Sequence, residues 1–217
     1  FYYYNEKNLS YKEILFTNES LKKNKKNKNK EFNNLDLDLN KNYGIHVGSL
    51  TPWDGVDYVI NAIKNIDNFV FLIIGGGSDY KKHLQNLVRK IGVEHKVKFV
   101  GAVSQEMVRK YIGAADICFL LKTIISYGLS PIKYYEYMAC GRPIVATNVA
   151  YINNVIKDKC GLVVNIPIKS NEITKVINKM LTENKLDELG NNARKAAVEK
   201  YTWEKRAKEI YTLINKI

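Results

Sequence analysis

Residues 69–77 read FVFLIIGGG, an unbroken apolar run that stops at three glycines. Six consecutive apolar side chains suit a strand that is buried on both faces, and such strands are typical of parallel sheets covered by helices. The glycines allow a tight turn and close packing where the strand ends. A dinucleotide-binding loop is disfavoured, because the G-x-G-x-x-G spacing fails after Gly77. The run therefore predicts an inner strand of an α/β domain.

Strands and helices alternate on both sides of this run. Short apolar stretches predict further strands at 43–50, 97–100, 116–121, 143–147 and 161–164. Apolar residues at helical spacing predict intervening helices at 55–66, 80–91, 105–114 and 131–140, and closing helices at 171–182, 185–200 and 203–217. Repeated β-α units of this kind predict an α/β fold with a doubly wound parallel sheet and C-terminal helices.

The first part of the chain differs in composition from the rest. Residues 1–42 are rich in Asn, Lys and Tyr, and 22–42 are of low complexity, which predicts a long loop. The chain opens on Phe1 without an initiator Met, so we interpret it as a fragment of a longer protein.

The net charge of +12 suggests a nucleic-acid-binding module. Six of the twelve excess charges, however, lie in one Asn/Lys tract at residues 22–30. Such a tract is typical of a solvated, disordered loop, and contact with anionic lipid is the alternative. We therefore expect no nucleic-acid partner, and we keep peripheral membrane contact as an open alternative.

Cysteine and histidine spacing gives no metal signature. Cys118, Cys140 and Cys160 form no C-x-x-C pair, and their apolar neighbours predict buried, reduced thiols in a cytosolic protein. The three histidines, including His46, are scattered and are interpreted as structural or exposed.

The D-x-D spacing at 36–38 lies in a biased segment without a preceding strand, so we interpret it as coincidence. No apolar run approaches the ~18 residues of a membrane span.

Residues 128–143 read GLSPIKYYEYMACGRP and predict a helix that is framed at both ends. Ser130 can cap the helix through its hydroxyl, and Pro131 suits the first helical position. Gly141 can end the helix in a left-handed conformation, and Pro143 prevents its continuation.

Lys133 and Glu136 are three residues apart on this helix and therefore share a face. The helix begins after a strand, so its free amides and its dipole favour an anion at the carboxyl edge of the sheet. The cation can pair with a diphosphate, and the carboxylate can accept two hydrogen bonds from ribose hydroxyls. On these grounds alone, a nucleotide-diphosphate clamp and an ordinary surface Lys–Glu pair are equally good interpretations.

The same stretch resembles the nucleotide-sugar-binding signature of the GT-B retaining glycosyltransferases called family 4, or glycosyl transferases group 1. One branch of that family has G-L-S-P-x-K-x-x-E-Y-M-A-x-G-x-P, which residues 128–143 match nearly throughout. HVGSL at 46–50, KFVGAV at 98–103 and YTWE at 201–204 are also similar to family segments. The resemblance covers roughly residue 43 to the end and implies the Rossmann-like C-terminal domain of a GT-B fold.

The resemblance implies a donor-binding role for each matched position. Glu136 would bind the ribose hydroxyls, Gly48 and Ser49 would lie under the phosphates, and Val103 would flank the base. The diphosphate and sugar would be held by the start of the helix, namely Ser130, Pro131, Ile132 and Lys133. Catalytic residues stay unassigned, because the acceptor domain that would supply them is absent.

Three positions depart from the family pattern. Gly128 stands where the family often has an acidic residue, a difference that the G-L-S-P-x-K branch shares. Ser49 and Asp54 stand where the family often has Arg and Lys, and an aspartate close to a diphosphate is repulsive. Lys133 would then be the main cation at the site. Alternatively, Asp54 would face away and Trp53 would pack over the site.

The resemblance also implies a division of the chain. Residues 1–42 would be a remnant of the N-terminal domain and linker, and 43–217 would be the nucleotide-sugar-binding domain with its closing helices. The last helix, 203–217, would cross back to the missing domain and leave an apolar face exposed here. Packing of this helix on its own domain is the alternative.

The implied function is retaining transfer of a sugar from a nucleotide-diphosphate donor to an acceptor hydroxyl, without a metal cofactor. Polysaccharide or glycolipid synthesis is expected, with a glycan or lipid-linked acceptor. A cytoplasmic location, including the inner face of the membrane, is expected. The isolated chain should be weakly active or inactive. The alternatives are a catalytically silent nucleotide-binding partner subunit, motivated by Ser49 and Asp54, and a nucleotide-sugar epimerase or hydrolase.

Overall fold

A computed structural model of the chain describes residues 35–76, 79–123, 132–149, 155, 157–183 and 185–215. The strands within these ranges are β1 Asn42–Val47, β2 Phe69–Ile74, β3 Val97–Gly101, β4 Ile117–Leu120, β5 Ile144–Thr147 and β6 Gly161–Val164. The helices are α1 Val56–Ala62, α2 Tyr80–Ile91, α3 Gln105–Ala114, α4 Ile132–Ala139, α5 Ser170–Thr182, α6 Leu186–Lys200 and α7 Trp203–Ile214. Short 3-10 turns occupy Pro52–Asp54, Ile63–Asn65 and Glu94–Lys96.

The six described strands form one parallel sheet in the order β3-β2-β1-β4-β5-β6. The chain winds outward from β1 in one direction and from β4 in the other, so the winding reverses between these two strands. The predicted α/β class with a doubly wound parallel sheet is confirmed. In sheets of this kind, ligands bind in the crevice beyond the carboxyl ends of the two strands at the reversal.

Successive residues of the inner strands point to opposite faces of the sheet, and both faces are buried. On β2, Leu72 and Ile74 belong to one apolar cluster, whereas Phe71 and Ile73 belong to the other. Helices α3, α4 and α6 cover the first face, and α1, α2 and α5 cover the second. Each fully buried side chain of this size contributes about 1.5–3 kcal/mol, which explains the unbroken apolar run.

Helix α4 ends as its sequence predicts. Gly141 adopts a left-handed conformation with a φ of 63°. Its amide donates to the carbonyl of Met138 at 2.8 Å, and the amide of Arg142 donates to that of Tyr137 at 3.1 Å. These bonds satisfy carbonyls that the helix end would otherwise leave without partners.

The closing helix α7 is exposed along its whole length. Trp203 is 79% exposed, and Ile210, Tyr211, Leu213 and Ile214 are exposed as well. The structure thus shows an apolar surface on α7, and the alternative in which this helix packs on its own domain is not supported.

The three predicted buried thiols are confirmed. Cys118, Cys140 and Cys160 are all buried and form no disulfide. Burial raises the pKa of Cys140 and that of Cys160 to about 11, so both thiols are neutral near pH 7.

Candidate functional site

The carboxyl ends of β1 and β4 meet where the winding of the sheet reverses, and we call this place the switch-point edge. Gly48 and Ser49 follow β1 directly, and Lys122 follows β4 after one residue. Ser49 is exposed and Gly48 is half-buried. The edge therefore presents backbone and polar side chains to solvent beside the apolar core.

Backbone hydrogen bonds tie the loops after β1 and β2 to the last residues of the neighbouring strands. The amide of Gly48 donates to the carbonyl of Ile74 at 3.0 Å, and that of Gly75 donates to Gly101 at 2.8 Å. A Cβ atom on Gly75 would lie 2.0 Å from the carbonyl oxygen of Gly48. Only glycine permits this approach, so the predicted close packing at the end of the 69–77 run is confirmed.

Helix α4 is anchored to the end of β1 by one buried hydrogen bond. The amide of Val47 donates to the hydroxyl of Tyr137 at 3.1 Å, and Tyr137 is completely buried. This bond fixes α4 relative to the residue that precedes Gly48. It thereby holds α4 beside the end of β1, next to the loop that begins at Gly48.

Lys133 and Glu136 form an ion pair within α4, with 2.9 Å between Nζ and Oε2. Both side chains are partly buried, and the predicted shared face is confirmed. In this arrangement each charge satisfies the other. A ligand that carries a phosphate and neighbouring hydroxyls can replace this pair, with the phosphate pairing with Lys133 and the hydroxyls donating hydrogen bonds to Glu136.

Asp54 is not a free carboxylate, and the alternative in which it faces away while Trp53 packs over the site stays a prediction. Its side chain is 7% exposed and forms an ion pair with Lys122, which is 20% exposed. Oδ2 of Asp54 also accepts hydrogen bonds from the amide of Thr51 at 3.1 Å and from its hydroxyl at 2.5 Å. The carboxylate is therefore buried and neutralised rather than repelling a bound anion. Trp53 stays largely exposed.

Lys122 is a charged residue of this edge that was not among the site residues predicted from the sequence. A signal for it exists, since Lys122 directly follows the predicted strand 116–121 and strand ends of this kind carry binding residues. Its pairing with Asp54, 68 residues earlier in the sequence, has no local signal.

His46 is the second residue whose importance the sequence did not show. It lies near the end of β1, is buried, and has a pKa of about 4 because burial disfavours the charged ring. The imidazole is therefore neutral near pH 7. The interpretation of His46 as an exposed residue is therefore wrong, whereas a structural role agrees with its burial.

The other predicted site residues have plain structural surroundings. Val103 follows β3 and packs partly buried against the apolar cluster under α3 and α4. Ile132 is the first residue of α4 and is exposed. Ser130 and Pro131 lie outside the described residues, so their predicted roles in holding the diphosphate stay predictions.

Both carboxylates of the D-x-D segment have partners within the protein. The Asp36 carboxylate pairs with Lys98 at 2.9 Å, and Asp38 accepts from the amide of Asn40 at 2.9 Å. Within the described part of the chain, no group of three or more potential metal ligands comes together.

Among the helices that the structure describes, none has both the length and the apolar character needed to cross a bilayer.

A six-stranded parallel sheet of this order, with helices on both faces, defines a Rossmann-like α/β domain. Residues 27–196 match the model of the family described as glycosyl transferases group 1. The chain belongs to this family, and its fold is that of the C-terminal domain of GT-B glycosyltransferases.

Individual relatives agree with this assignment. An uncharacterized glycosyltransferase of Methanocaldococcus jannaschii is 30% identical over 168 residues, which cover 76% of this chain and 42% of that protein. The C-terminal domain of a group 1 glycosyl transferase, LpcC of Francisella tularensis, has a TM-score of 0.66 at 20% identity, covering 82% of this chain and 94% of that one. Anabaena HepE in complex with UDP-glucose has a TM-score of 0.73 at 22% identity, and the match covers 82% of this chain and 50% of that one.

The chain spans about half the length of the curated relatives it matches, with 42%, 45% and 50% of three glycosyltransferases of M. jannaschii.

Proposed function

We propose that the chain binds the nucleotide-diphosphate part of a sugar donor at the switch-point edge. The observation that supports this most strongly is the Lys133–Glu136 pair on α4, which the bond between Tyr137 and Val47 anchors beside the loop at Gly48. The helix that carries the cation and the carboxylate is thus anchored next to the glycine loop, at the edge where doubly wound sheets bind ligands.

Donor binding would proceed by exchange of partners at this pair. Lys133 would release Glu136 and form a charge-assisted hydrogen bond to the diphosphate. The freed carboxylate of Glu136 would accept the two ribose hydroxyls. Gly48 and Ser49 would lie under the phosphates, and Val103 would flank the base. The exposed hydroxyl of Ser49 is available as a donor to a phosphate oxygen.

For the whole protein we propose a retaining glycosyltransferase of family 4 that transfers a hexose from the donor to an acceptor hydroxyl. Lys133 and the start of α4 would stabilise the charge of the departing diphosphate, so this scheme needs no metal. The acceptor would be a glycan or a lipid-linked glycan in polysaccharide or glycolipid synthesis. The predicted boundary after residue 42 moves toward the N-terminus, because Leu35 is buried in the donor domain and β1 begins at Asn42. Residues 1–34 would belong to the acceptor side or the linker, and the enzyme would act in the cytoplasm or at the inner membrane face.

A second candidate function is that of a silent nucleotide-binding partner subunit. It is favoured by the exposed Ser49 at a position where the family often has arginine, and by the burial of Lys122 against Asp54. Nucleotide binding without turnover by the full-length protein would support this candidate. A nucleotide-sugar epimerase or hydrolase would instead release a free sugar, which product analysis distinguishes from a glycoside.

Replacing Glu136 with alanine should weaken nucleotide binding at least tenfold. Each hydrogen bond to a charged acceptor contributes about 1.5–3 kcal/mol, and two such bonds to ribose would be lost. The measurement is calorimetric titration of the folded chain with UDP, GDP and ADP. UDP is the first choice, because HepE, a neighbour in fold, was solved with UDP-glucose.

The matched control for this titration is Glu204→Ala. Glu204 also pairs with a lysine on its own helix, Lys208, at 2.8 Å, but it lies on the exposed helix α7. Its loss should leave nucleotide affinity unchanged. Equal affinities of wild type and Glu136→Ala, or no saturable binding by the folded wild type, would contradict the proposed donor site.

A further inference from the structure

One buried nitrogen at the switch-point edge has no hydrogen-bond partner among the residues that the structure describes. The side chain of His46 is only 7% exposed, and no donor or acceptor of the described residues reaches its buried Nε2 atom. Buried polar atoms in folded proteins are nearly always hydrogen-bonded, so an unpartnered one calls for an explanation. A ligand that supplies the missing partner is one such explanation.

The surroundings of the ring favour one tautomer. The backbone carbonyl of Ser49 favours the protonated ring, and the nitrogen without a described partner is Nε2, so the proton of the neutral ring is placed on Nδ1. In a neutral ring whose Nδ1 carries the proton, Nε2 holds a lone pair. Nε2 therefore accepts hydrogen bonds until it takes up a second proton, and then it donates.

The unpartnered nitrogen lies directly beside Gly48. A Cβ atom on Gly48 would be 3.8 Å from Nε2. Gly48 carries no side chain, so no Cβ atom at this position stands between Nε2 and a phosphate bound on the loop. An anion bound at this loop would be close enough to act on the imidazole.

Three charged residues of the described chain act on His46, each from a different element. Asp54 in the turn before α1 favours the charged ring, whereas Lys122 after β4 and Lys133 on α4 disfavour it. The Asp54 carboxylate is already paired with Lys122. Burial adds the largest effect, so the pKa of His46 falls to about 4 in the free protein.

We propose that His46 is a further donor-binding residue, whose Nε2 takes a proton from solvent when the diphosphate binds over Gly48 and then donates to a phosphate oxygen. The proposal rests on the proposed donor site. Two phosphate charges near the ring favour its protonated form, and the bound phosphate supplies the partner that Nε2 lacks.

The sign of the pH dependence follows from proton counting. The complex holds one proton more than the free protein, so affinity rises as the pH falls. The rise spans the range from the pKa of His46 in the complex down to its free pKa of about 4, and it reaches at most about tenfold for each pH unit.

The test is the dissociation constant of UDP-glucose between about pH 7.5 and 5.5. UDP-glucose is the probe because its phosphates are esterified and do not titrate in this range, unlike the terminal phosphate of UDP. Wild type should bind it at least about fivefold more tightly at the lower pH. Circular dichroism at each pH confirms that the chain is folded.

Two variants and one control identify the titrating group. His46→Asn keeps an amide near the position of Nδ1 but has no atom at that of Nε2. It should therefore bind UDP-glucose weakly, and its dissociation constant should change less than about twofold with pH. His46→Gln places a non-titrating amide near Nε2, so it should regain affinity without regaining the pH dependence. His95→Asn removes an exposed histidine and should behave like wild type.

Each outcome of the test supports or overturns the inference. Binding by wild type with no pH dependence would overturn the role of His46 while leaving the donor site intact. A pH dependence that persists in a folded His46→Gln would overturn it as well. No binding by folded wild type at either pH would overturn the donor site and this inference together.

Discussion

Replacing Lys122 with methionine should destabilise the protein by about 3 kcal/mol or more, as loss of one partner of a buried ion pair does. The variant leaves the Asp54 carboxylate buried, with a side chain only 7% exposed and with Thr51 as its remaining partner. Methionine has a similar volume, so packing is largely conserved and the loss reports on charge. Urea unfolding followed by circular dichroism measures the effect.

A double variant and an exposed pair serve as controls. Asp54→Leu combined with Lys122→Met removes both charges and should recover part of the lost stability. Lys110→Met breaks the exposed pair with Glu106, which is worth less than about 1 kcal/mol. A loss at Lys122 as small as that at Lys110 would show that Asp54 is not held as a buried carboxylate.

Replacing Gly75 with alanine should lower the free energy of unfolding by a similar amount and should also weaken nucleotide binding. The new Cβ atom would lie 2.0 Å from the carbonyl oxygen of Gly48, and Gly75 has a φ of 115°. Backbone strain and the clash each cost about 1–3 kcal/mol. Relief of the clash requires Gly48 to move, which displaces the loop proposed to lie under the phosphates. Unfolding and UDP titration measure the two effects.

Gly92→Ala is the matched control for Gly75→Ala. Gly92 ends α2 with a φ of 73°, and a Cβ atom there would meet nothing within 4 Å. Its free energy of unfolding should fall only by the cost of placing alanine in a left-handed conformation, about 1–2 kcal/mol, and its nucleotide affinity should be unchanged. Equal losses in the two variants would mean that the loops after β1 and β2 do not touch.

The fold was predictable from sequence wherever a local pattern matched a complete element. The predicted strand 69–74 and helix 80–91 have the same bounds as β2 and α2. In both segments the apolar pattern begins and ends at the residues where the element begins and ends. The predicted strand 43–50 ends earlier, at Val47, where the amide of Gly48 bonds to Ile74 on the neighbouring strand. The predicted helix 55–66 ends as a 3-10 turn after Ala62, a difference that apolar spacing does not encode.

The candidate site was predictable in part. The pair formed by Lys133 and Glu136 follows from helical spacing, and the end of α4 follows from the left-handed preference of Gly141. The pairing of Asp54 with Lys122 and the orphaned nitrogen of His46 are tertiary features. They depend on which strands become neighbours, and no local pattern specifies the β1–β4 contact.

The most direct test of the central claim, that the switch-point edge binds the nucleotide diphosphate, is the amide nitrogen–proton spectrum of the chain during titration with UDP. We expect saturable shifts to concentrate at Gly48, Ser49 and the first turn of α4 from Ile132 to Glu136. Residues of the exposed helix α7 should stay unchanged. Saturable shifts that cluster away from the carboxyl ends of β1 and β4, or no saturable shifts in a folded chain, would contradict it.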